Sequence, residues 1–427
     1  MKYNHYKIIY IIIFYFSFTY LSFAQQPGDL DKTFCNNGKV SVGIGGYFDV
    51  AQEVALQSDG KIVVAGYGRE SASSFKGLSI ARYLHDGNID YDFGNLGVIQ
   101  KQTNTMEGEL HSIAIQKDDK IIAVGYSISS ASNNEDITLV RFNSNGYLDK
   151  SFGNNGLVVT EITNQKELGE FVAIQPDGKI VVVGTTQHNP SPDIVLARYD
   201  EYGQPDFYFG DGGIVITDIN SGPDIGKSLV IQRDGKIIVA GLTYNNDKFF
   251  MTLLQYNSDG NLDPTFGKNG IALTDINSRV GKLGLALQND GKIILVGPSE
   301  VESSHHFTVI RFNNDGVVDK SFGNNGITKT TIGNFSEAEA VALDSHGNIV
   351  VAGTTESGTT AFVVAMYNPM GILETSFGSD GIAVVSFSDN SIDRAHSVII
   401  DNNGNIIVAG ETTSDYTTFG IIRLIGK

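Results

Sequence analysis

Cysteine is almost missing from the sequence, because Cys35 is the only one among 427 residues. No internal disulfide bond can form, so packing must stabilise the fold. Tryptophan is absent, and proline occurs only nine times against 49 glycines. Glycine at this level, without collagen periodicity, indicates many tight turns. Cys35 occupies a position that is glycine in most other copies of a repeat described below. It is therefore interpreted as a tolerated replacement, and the alternative is a reactive or intermolecular thiol.

Positive charge is also scarce, with 30 Lys and Arg against 48 Asp and Glu and a net charge of −18 at pH 7. Without Lys2 and Lys7 the net charge is −20. A chain with this net negative charge repels phosphate backbones and anionic lipid headgroups. We therefore expect no nucleic-acid partner.

Linear catalytic motifs are absent as well. The sequence has no G-x-S-x-G, no H-E-x-x-H, no phosphate-binding P-loop and no G-x-G-x-x-G that opens a helix. No catalytic residue is assigned and no cofactor is expected. The abundant carboxylates leave open a hydrolytic pair that linear sequence would not reveal.

Residues 1–24 have the composition of a secretory signal peptide. Lys2 and Lys7 precede the apolar stretch from Ile8 to Phe23, and Ser22-Phe23-Ala24 resembles a cleavage site. The alternative is an uncleaved membrane anchor, but the apolar run has 16 residues, against about 20 in a spanning helix. We expect a mature chain of residues 25–427, secreted or in the cell envelope, with no membrane insertion after cleavage.

Two landmarks recur seven times in the rest of the chain. The first is a loop of the pattern LDxxFGxxG, which starts at Leu30, Ile89, Leu148, Pro205, Leu262, Val318 and Leu373. The second is a turn followed by an apolar run, such as DGKIVVAG from Asp59 and DGKIVVVG from Asp177. Because the two landmarks alternate regularly through seven copies, they define seven repeat units, called units 1 to 7 in chain order.

Each unit contains four short apolar stretches, which in unit 1 are 39–42, 53–56, 61–66 and 78–83. They are rich in Val, Ile and Leu, are too short for helices and are separated by Gly, Asn and Asp, which is typical of strands. Asp59-Gly60 indicates a tight hairpin between the second and third strands. Seven such units predict a single all-β domain, a seven-bladed β-propeller with four-stranded antiparallel blades.

The alternation of the two landmarks resembles the delta-60 repeat family of secreted bacterial proteins, over residues 30 to 427. The resemblance implies a propeller-like fold, but no established activity and no agreed binding residues. The sequence departs from the family pattern at Cys35, Asp119, Pro205 and Phe207.

Recurring charged residues predict how the ring closes. The fourth strand often carries an Arg eight residues before an Asp of the loop, as in Arg82 and Asp90. Arg423 has no such Asp after it, and Asp31 has no such Arg before it. We expect these two residues to pair, with residues 31–45 joining the last blade beside 419–425, which would remove exposed strand edges. The alternative is that such pairs are exposed and weak.

The loops that vary between units are the candidate recognition surface. They join the first strand to the second and the third to the fourth, and in an antiparallel meander they share one face, called here the variable-loop face. The alternative is that these loops are unconstrained solvent loops. A polar position at the start of the second strand is predicted to line the channel mouth; its residues are Gln52, His111, Glu170, Lys227, Glu339 and His396, with Leu283 in unit 5.

Aromatic and oxygen-bearing residues supply further candidates. Four tyrosines at or in the loops after the third strands are predicted contact residues: Tyr67, Tyr126, Tyr244 and Tyr416. His305 and His306 are expected to be exposed to solvent. Asn257, Asp259 and Asp263 alternate as in a calcium loop, but turn formation explains the same residues, so calcium is the one cofactor left open.

The interpretation favoured by the sequence is an exported, non-enzymatic binding or scaffold propeller that presents its variable-loop face to a protein or glycan. The first alternative is a lactonase-, lyase- or glycosidase-like enzyme with a site at the channel mouth, by analogy of fold alone. Three or more acidic or His side chains converging in the channel would favour the enzyme. A third possibility is an envelope component whose partner is another chain.

Overall fold

A computed structural model describes residues 24–101, 106–129, 134–188, 190–301 and 304–427. The predicted signal peptide, apart from Ala24, lies outside these residues. All regular elements within the described ranges are β-strands, and no helix is present among them. The described part of the chain accordingly holds no helix that is long and apolar enough to cross a membrane.

The strands are numbered β1 to β28, four to each unit. Those of units 1 to 3 are Lys39–Val42, Phe48–Leu56, Ile62–Arg69, Gly77–Tyr83, Val98–Lys101, Met106–Ile115, Ile121–Ser129, Glu135–Phe142, Leu157–Thr160, Glu167–Ile174, Ile180–His188 and Ser191–Tyr199. Those of units 4 and 5 are Ile214–Thr217, Asp224–Ile231, Ile237–Asn245, Lys248–Tyr256, Ile271–Ser278, Gly284–Leu287, Ile293–Val301 and Ser304–Phe312. Those of units 6 and 7 are Ile327–Thr330, Phe335–Leu343, Ile349–Ser357, Thr359–Tyr367, Ile382–Val385, Ile392–Ile400, Ile406–Thr413 and Thr417–Leu424.

Each sheet combines strands from two consecutive units. Five four-stranded antiparallel sheets follow an order such as β10-β11-β12-β13, in which β13 is the first strand of the next unit. The second strand of a unit therefore lies at one edge of its sheet, and the first strand of the following unit lies at the other. Consecutive sheets pack face to face through the Val, Ile and Leu of their middle strands, such as Val182 and Val239.

The strands of the first and last units form a sheet of eight strands. β1 pairs antiparallel with β28, with Lys39 opposite Ile422 and Val42 opposite Phe419. This part follows the order β26-β27-β28-β1 found in the other sheets, while β2 to β5 form a second group of four. The two groups are joined by one parallel residue pair, Phe48 with Thr417.

The predicted Arg–Asp pairs are present and buried. Arg82 Nε donates to Asp90 Oδ2 at 2.8 Å, and its guanidinium lies 4.5 Å from the centre of the Phe93 ring. The same Arg also donates to the carbonyl oxygen of Ser144 in the next unit, so each clamp joins two units. The clamp recurs as Arg141–Asp149, Arg198–Asp206 and Arg311–Asp319.

The chain ends carry the same clamp. Arg423 Nε donates to Asp31 Oδ2 at 2.8 Å, stacks 4.5 Å from the Phe34 ring and donates to the carbonyl oxygen of His85 in unit 1. Burial alone would raise the pKa of Asp31, but hydrogen bonds from Thr33 and Arg423 outweigh it and lower the pKa.

The glycine that ends the DGKIVVAG-type run has a steric explanation. A Cβ on Gly66 would lie 1.9 Å from the carbonyl oxygen of Val50 on the neighbouring strand, and one on Gly184 would lie 2.0 Å from that of Leu168. No side chain fits at so close an approach. The strand opposite is irregular here: Gly169 and Phe171 face consecutive residues of β11, which leaves Glu170 as the extra residue of a β-bulge.

Candidate functional site

A cavity of about 460 Å³ lies where the second strands of all seven units converge. Its polar lining includes Glu53, Ser228, Lys282 and Ser397 together with all six polar residues predicted to line the channel mouth: Gln52, His111, Glu170, Lys227, Glu339 and His396. The lining of this pocket extends along the second strands from these residues toward the DGK-type turns, as far as Leu285, Val341 and Ile399. The pocket volume is within the range of about 300–1,000 Å³ typical of small-molecule sites.

The β-bulges place these six side chains. In each of the six second strands concerned the register shifts around this residue, as between Ala51 and Glu53, Leu110 and Ser112, or Ala395 and Ser397. A bulge leaves one residue unpaired and turns its side chain away from the regular alternation. The extra residue is thereby directed into the pocket, while its neighbours pack between sheets.

Unit 5 is the exception. Leu283, which aligns with the six polar residues, also borders the pocket, but it is 4% exposed and packs in the hydrophobic core. Lys282 supplies the polar group instead, and its Nζ donates to the carbonyl oxygen of Gln52 in unit 1 at 2.8 Å. The second strand of unit 5 has only four residues and no bulge, so the polar group comes from the preceding residue.

Glutamates contact basic side chains around the pocket. Lys227 Nζ lies 2.6 Å from Glu170 Oε1, and His396 Nδ1 lies 2.7 Å from Glu339 Oε2. Burial would raise the pKa of Glu339, but His396 and Lys282 outweigh it and lower the pKa. Burial of Glu170 is likewise outweighed, by Lys227 and His111, so its pKa is lowered. Both glutamates are therefore ionised at neutral pH.

Lys282 is the central cation of the pocket. Its burial lowers its pKa, and the charges of Glu339, Glu53 and Glu170 act in the opposite direction. Glu53, which sequence reasoning missed, accepts a hydrogen bond from Ser397 Oγ of unit 7, and burial raises its pKa. A lysine from unit 5 thus lies among glutamates from units 1, 3 and 6.

A second polar layer adjoins the pocket at Glu109. Burial would raise its pKa, but hydrogen bonds from His111, Lys76 and Tyr126 lower it to about 2. Tyr126 Oη donates to Glu109 Oε1 at 2.7 Å, and the Lys76 ammonium lies 4.9 Å from the Tyr67 ring centre. Tyr126 is buried within β7 and Tyr67 is half-buried within β3, so neither lies in a loop.

The other two tyrosines occupy the rim of the variable-loop face. Tyr244 lies in β15, half-buried, and stacks on Phe249 at 5.1 Å between ring centres. Tyr416 lies in the turn between β27 and β28, is 56% exposed and packs edge-on against Tyr47 at 6.2 Å. Of the four tyrosines predicted to supply contacts, only Tyr416 is an exposed loop residue.

The two adjacent histidines are not freely exposed, contrary to the sequence expectation. Both lie within β20 and are half-buried. His305 packs against the Phe335 ring at 4.3 Å, and its burial lowers its pKa. His306 Nδ1 lies 3.0 Å from Thr331 Oγ1.

The calcium-loop candidates in unit 5 make turn contacts. Asp259 Oδ1 accepts the backbone N–H of Asn261, and the backbone N–H of Asn257 donates to the carbonyl of Asn261. Asp263 Oδ2 pairs with Lys236 Nζ at 2.7 Å, and its other carboxylate oxygen accepts from Thr265. Lys236 leads the hydrogen bonds that lower the pKa of Asp263 to about 2.

These features define a repeat β-propeller protein. Six segments match the model of a β-propeller domain of unknown function, DUF5122, at residues 57–93, 116–152, 175–206, 232–266, 288–322 and 346–377. The segments cover just under half of the chain, and they support a repeat β-propeller family without specifying the delta-60 name. No curated protein matches the sequence.

Similar solved structures include proteins of different kinds. A catalytically inactive virginiamycin B lyase from Staphylococcus aureus has 11% identity and a TM-score of 0.49, with 91% of this chain and 99% of that one covered. The β-propeller domain of the Trilobed protease from Pyrococcus furiosus has 11% identity and a TM-score of 0.47, covering 89% and 96%. Sqt1 from Chaetomium thermophilum has 11% identity and a TM-score of 0.46, also covering 89% and 96%. Likeness at this level carries no information on activity.

Proposed function

We propose that residues 25–427 form one domain, a seven-bladed ring closed by β1 on β28, which binds a protein or glycan partner at its central pocket. The observation that carries the proposal is that pocket, to which every unit contributes a lining residue. A ring is the arrangement in which seven repeated strands meet around one cavity.

A repeated backbone hydrogen bond supports closure. In each LDxxFG loop the residue after Phe donates its N–H to a turn carbonyl, as Gly94 does to Asn145 and Gly153 to Tyr202. The series runs from neighbour to neighbour and includes both chain ends, where Gly378 donates to Pro27 and Cys35 to Asp86. Cys35 has a φ of 36° at this glycine position, so it adopts the left-handed conformation that the bond requires.

The pattern of family matches is consistent with the same closure. Each matched segment runs from a DGK-type turn to the next LDxxFG loop. The seventh copy of that stretch would begin near Asp401 and end in the loop at Leu30. A blade whose strands come from both ends of the chain is not continuous in sequence. A family model of the continuous repeat would therefore not match it.

Binding, rather than catalysis, suits the charges in the pocket. Glu170 forms an ion pair with Lys227, and Glu339 is within hydrogen-bond distance of His396 Nδ1. The hydroxyl of Ser397 donates to Glu53 instead of to a histidine base, so it is not arranged as an activated nucleophile. Paired charges of both signs are suited to hydrogen-bond a polar ligand group, such as a sugar hydroxyl or a charged side chain of a protein.

An enzyme is the second candidate, because the pocket meets the criterion stated for it. Glu53, Glu170 and Glu339 converge there with His111 and His396. Carboxylates with differently shifted pKa values are a feature of acid–base sites, and burial raises the pKa of Glu53 while that of Glu170 is lowered. If the protein is an enzyme, it would convert the bound glycan or other polar ligand into product.

A binding screen with matched variants tests the proposal. We expect the protein to bind members of a glycan and surface-protein panel. The double variant Glu170→Gln/Lys227→Met, which removes both charges together, should bind at least about tenfold more weakly, as for loss of a charge-assisted contact. Lys236→Met is the matched control, because it breaks an ion pair of the same 2.6–2.7 Å length whose residues do not line the pocket.

The outcomes separate the candidates. Unchanged affinity in the double variant, with loss of binding in Lys236→Met, would place recognition outside the pocket. Turnover of the bound ligand by the protein, abolished by Glu170→Gln, would establish the enzyme instead.

We also propose that residues 1–24 direct export to the cell envelope or the medium, on the composition of that segment. The exported protein should then begin at Gln25, as measured by intact mass. A mass that retains residues 1–24 would favour the membrane anchor.

A further inference from the structure

Three carboxylates from two adjacent sheets meet beside the variable-loop face, away from the pocket. Asp193 belongs to β12, Asp224 to β14, and Asp218 to the connection between β13 and β14. One carboxylate oxygen from each lies within 4.8 Å of the other two. Asp193 and Asp224 are buried, and Asp218 is exposed, so the group has one side open to solvent.

Asp224 carries an oxygen with no hydrogen-bond donor. Its side chain is 0% exposed, and Oδ2 accepts the backbone N–H of Ile219 at 2.7 Å. Among the described residues no donor lies within hydrogen-bond distance of the buried Oδ1, and the nearby Thr243 hydroxyl likewise makes no hydrogen bond of normal geometry. Burial raises the pKa of Asp224 to about 6 against the N–H of Ile219 and the Thr243 hydroxyl, which act to lower it, and the charges of Asp218 and Asp193 act in the same direction as burial. A buried carboxylate oxygen without a donor is costly unless a cation or a proton neutralises it.

Unit 7 has an aspartate at the equivalent position, Asp393, and both of its carboxylate oxygens accept hydrogen bonds. Asp393 pairs across the hairpin with Thr412, as Asp224 pairs with Thr243. In unit 7 the hydroxyl of Thr412 donates to Asp393 Oδ1 at 2.5 Å, and Ser391 Oγ and the N–H of Phe387 donate to Oδ2. Both oxygens of Asp393 are thus satisfied by its own loop.

The facing sheets of the two units also differ. Asp193 lies six positions before Tyr199, and the corresponding position before Tyr367 is Ala361. Asp393 therefore meets no carboxylate from the preceding unit at this position. The junction of units 3 and 4 instead concentrates three carboxylates around an unmatched oxygen.

We propose that Asp193, Asp218 and Asp224 bind a divalent cation of the calcium class. Carboxylate oxygens are the ligands that hard cations prefer, and calcium accepts irregular sets completed by water. The bound ion would neutralise the buried oxygen of Asp224 and tie the connection after β13 to two sheets. This site is distinct from the unit 5 loop that the sequence nominated for calcium.

Isothermal titration of the chelator-treated, purified protein with CaCl₂, and separately with MgCl₂, tests this site. We expect calcium to bind, to raise the melting temperature and to bind more tightly than magnesium. Asp224→Asn and Asp218→Asn should each weaken calcium binding by about tenfold or more, as for the loss of a ligand. Asp218 is exposed, so its variant is expected to fold normally.

Asp393→Asn is the matched control, since it changes the equivalent aspartate where both oxygens already have donors. It should lower the melting temperature and leave the calcium affinity unchanged. The proposal is overturned if neither metal binds at about 10 mM, which is weaker than extracellular calcium modules. It is equally overturned if magnesium binds as tightly as calcium, or if both site variants bind calcium as the unchanged protein does.

Discussion

Replacing Arg423 with Met should lower the free energy of unfolding by about 3 kcal/mol, as for removing one partner of a buried ion pair. Met keeps much of the apolar volume over Phe34, but it leaves the buried carboxylate of Asp31 without its cation. It also removes the donor to the carbonyl oxygen of His85. The change removes the side-chain contacts of this clamp, while the backbone hydrogen bonds of Arg423 with Asp31 and Gly38 remain. Chemical denaturation followed by fluorescence and circular dichroism measures the loss.

The matched control is Arg311→Met, which acts on the same clamp inside the chain. Arg311 pairs with Asp319 at 2.9 Å, stacks on Phe322 and donates to the carbonyl oxygen of Pro369. If the ring is closed in solution, the two variants lose similar stability. If the ends are apart, Arg423→Met costs little while Arg311→Met still costs about 3 kcal/mol, and the closed ring is wrong.

Much of the fold was predictable because the repeat supplies the same information seven times. Asp-Gly turns, short Val- and Ile-rich runs and the charged pairs indicated four strands to a unit. The strand ends were less predictable. The third strand of unit 1 extends from Ile62 to Arg69, beyond the apolar run that ends at Gly66. Past that glycine the pairing depends on backbone hydrogen bonds rather than on apolar residues, so Tyr67 and Tyr126 were assigned to loops or their edges.

The candidate site was predictable where the repeat is regular and unpredictable where it is not. Six polar residues at one repeat position all line the pocket, since a bulge occurs at that position in each unit concerned. Lys282 was missed because unit 5 lacks the bulge. Glu53 was missed because only unit 1 carries a glutamate directly after the bulged residue. The carboxylates at Asp193, Asp218 and Asp224 are brought together by sheet packing, which spacing along the chain does not reveal.

Replacing Gly184 with Ala should lower the free energy of unfolding by about 3 kcal/mol, as at the upper range for overpacking a core position. The new Cβ would lie 2.0 Å from the carbonyl oxygen of Leu168, which is much closer than two non-bonded atoms can approach. The hairpin of β10 and β11 must open to accommodate it, and the bulge that directs Glu170 into the pocket lies next to this contact. We therefore expect weaker binding of the pocket ligand as well as lower stability.

Gly241 in unit 4 is the matched comparison, because it ends the same sequence motif with more space. A Cβ there would lie 2.7 Å from the carbonyl oxygen of Ile225, so a small backbone shift suffices and Gly241→Ala should cost about 1 kcal/mol. Denaturation midpoints of the two variants measure the difference. Equal losses would mean that the glycines serve general flexibility, whereas a larger loss in Gly184→Ala ties the motif glycine to the bulge. Since the bulged residue of each of these second strands lines the pocket, that result would also link a glycine present in all seven units to the geometry of the site.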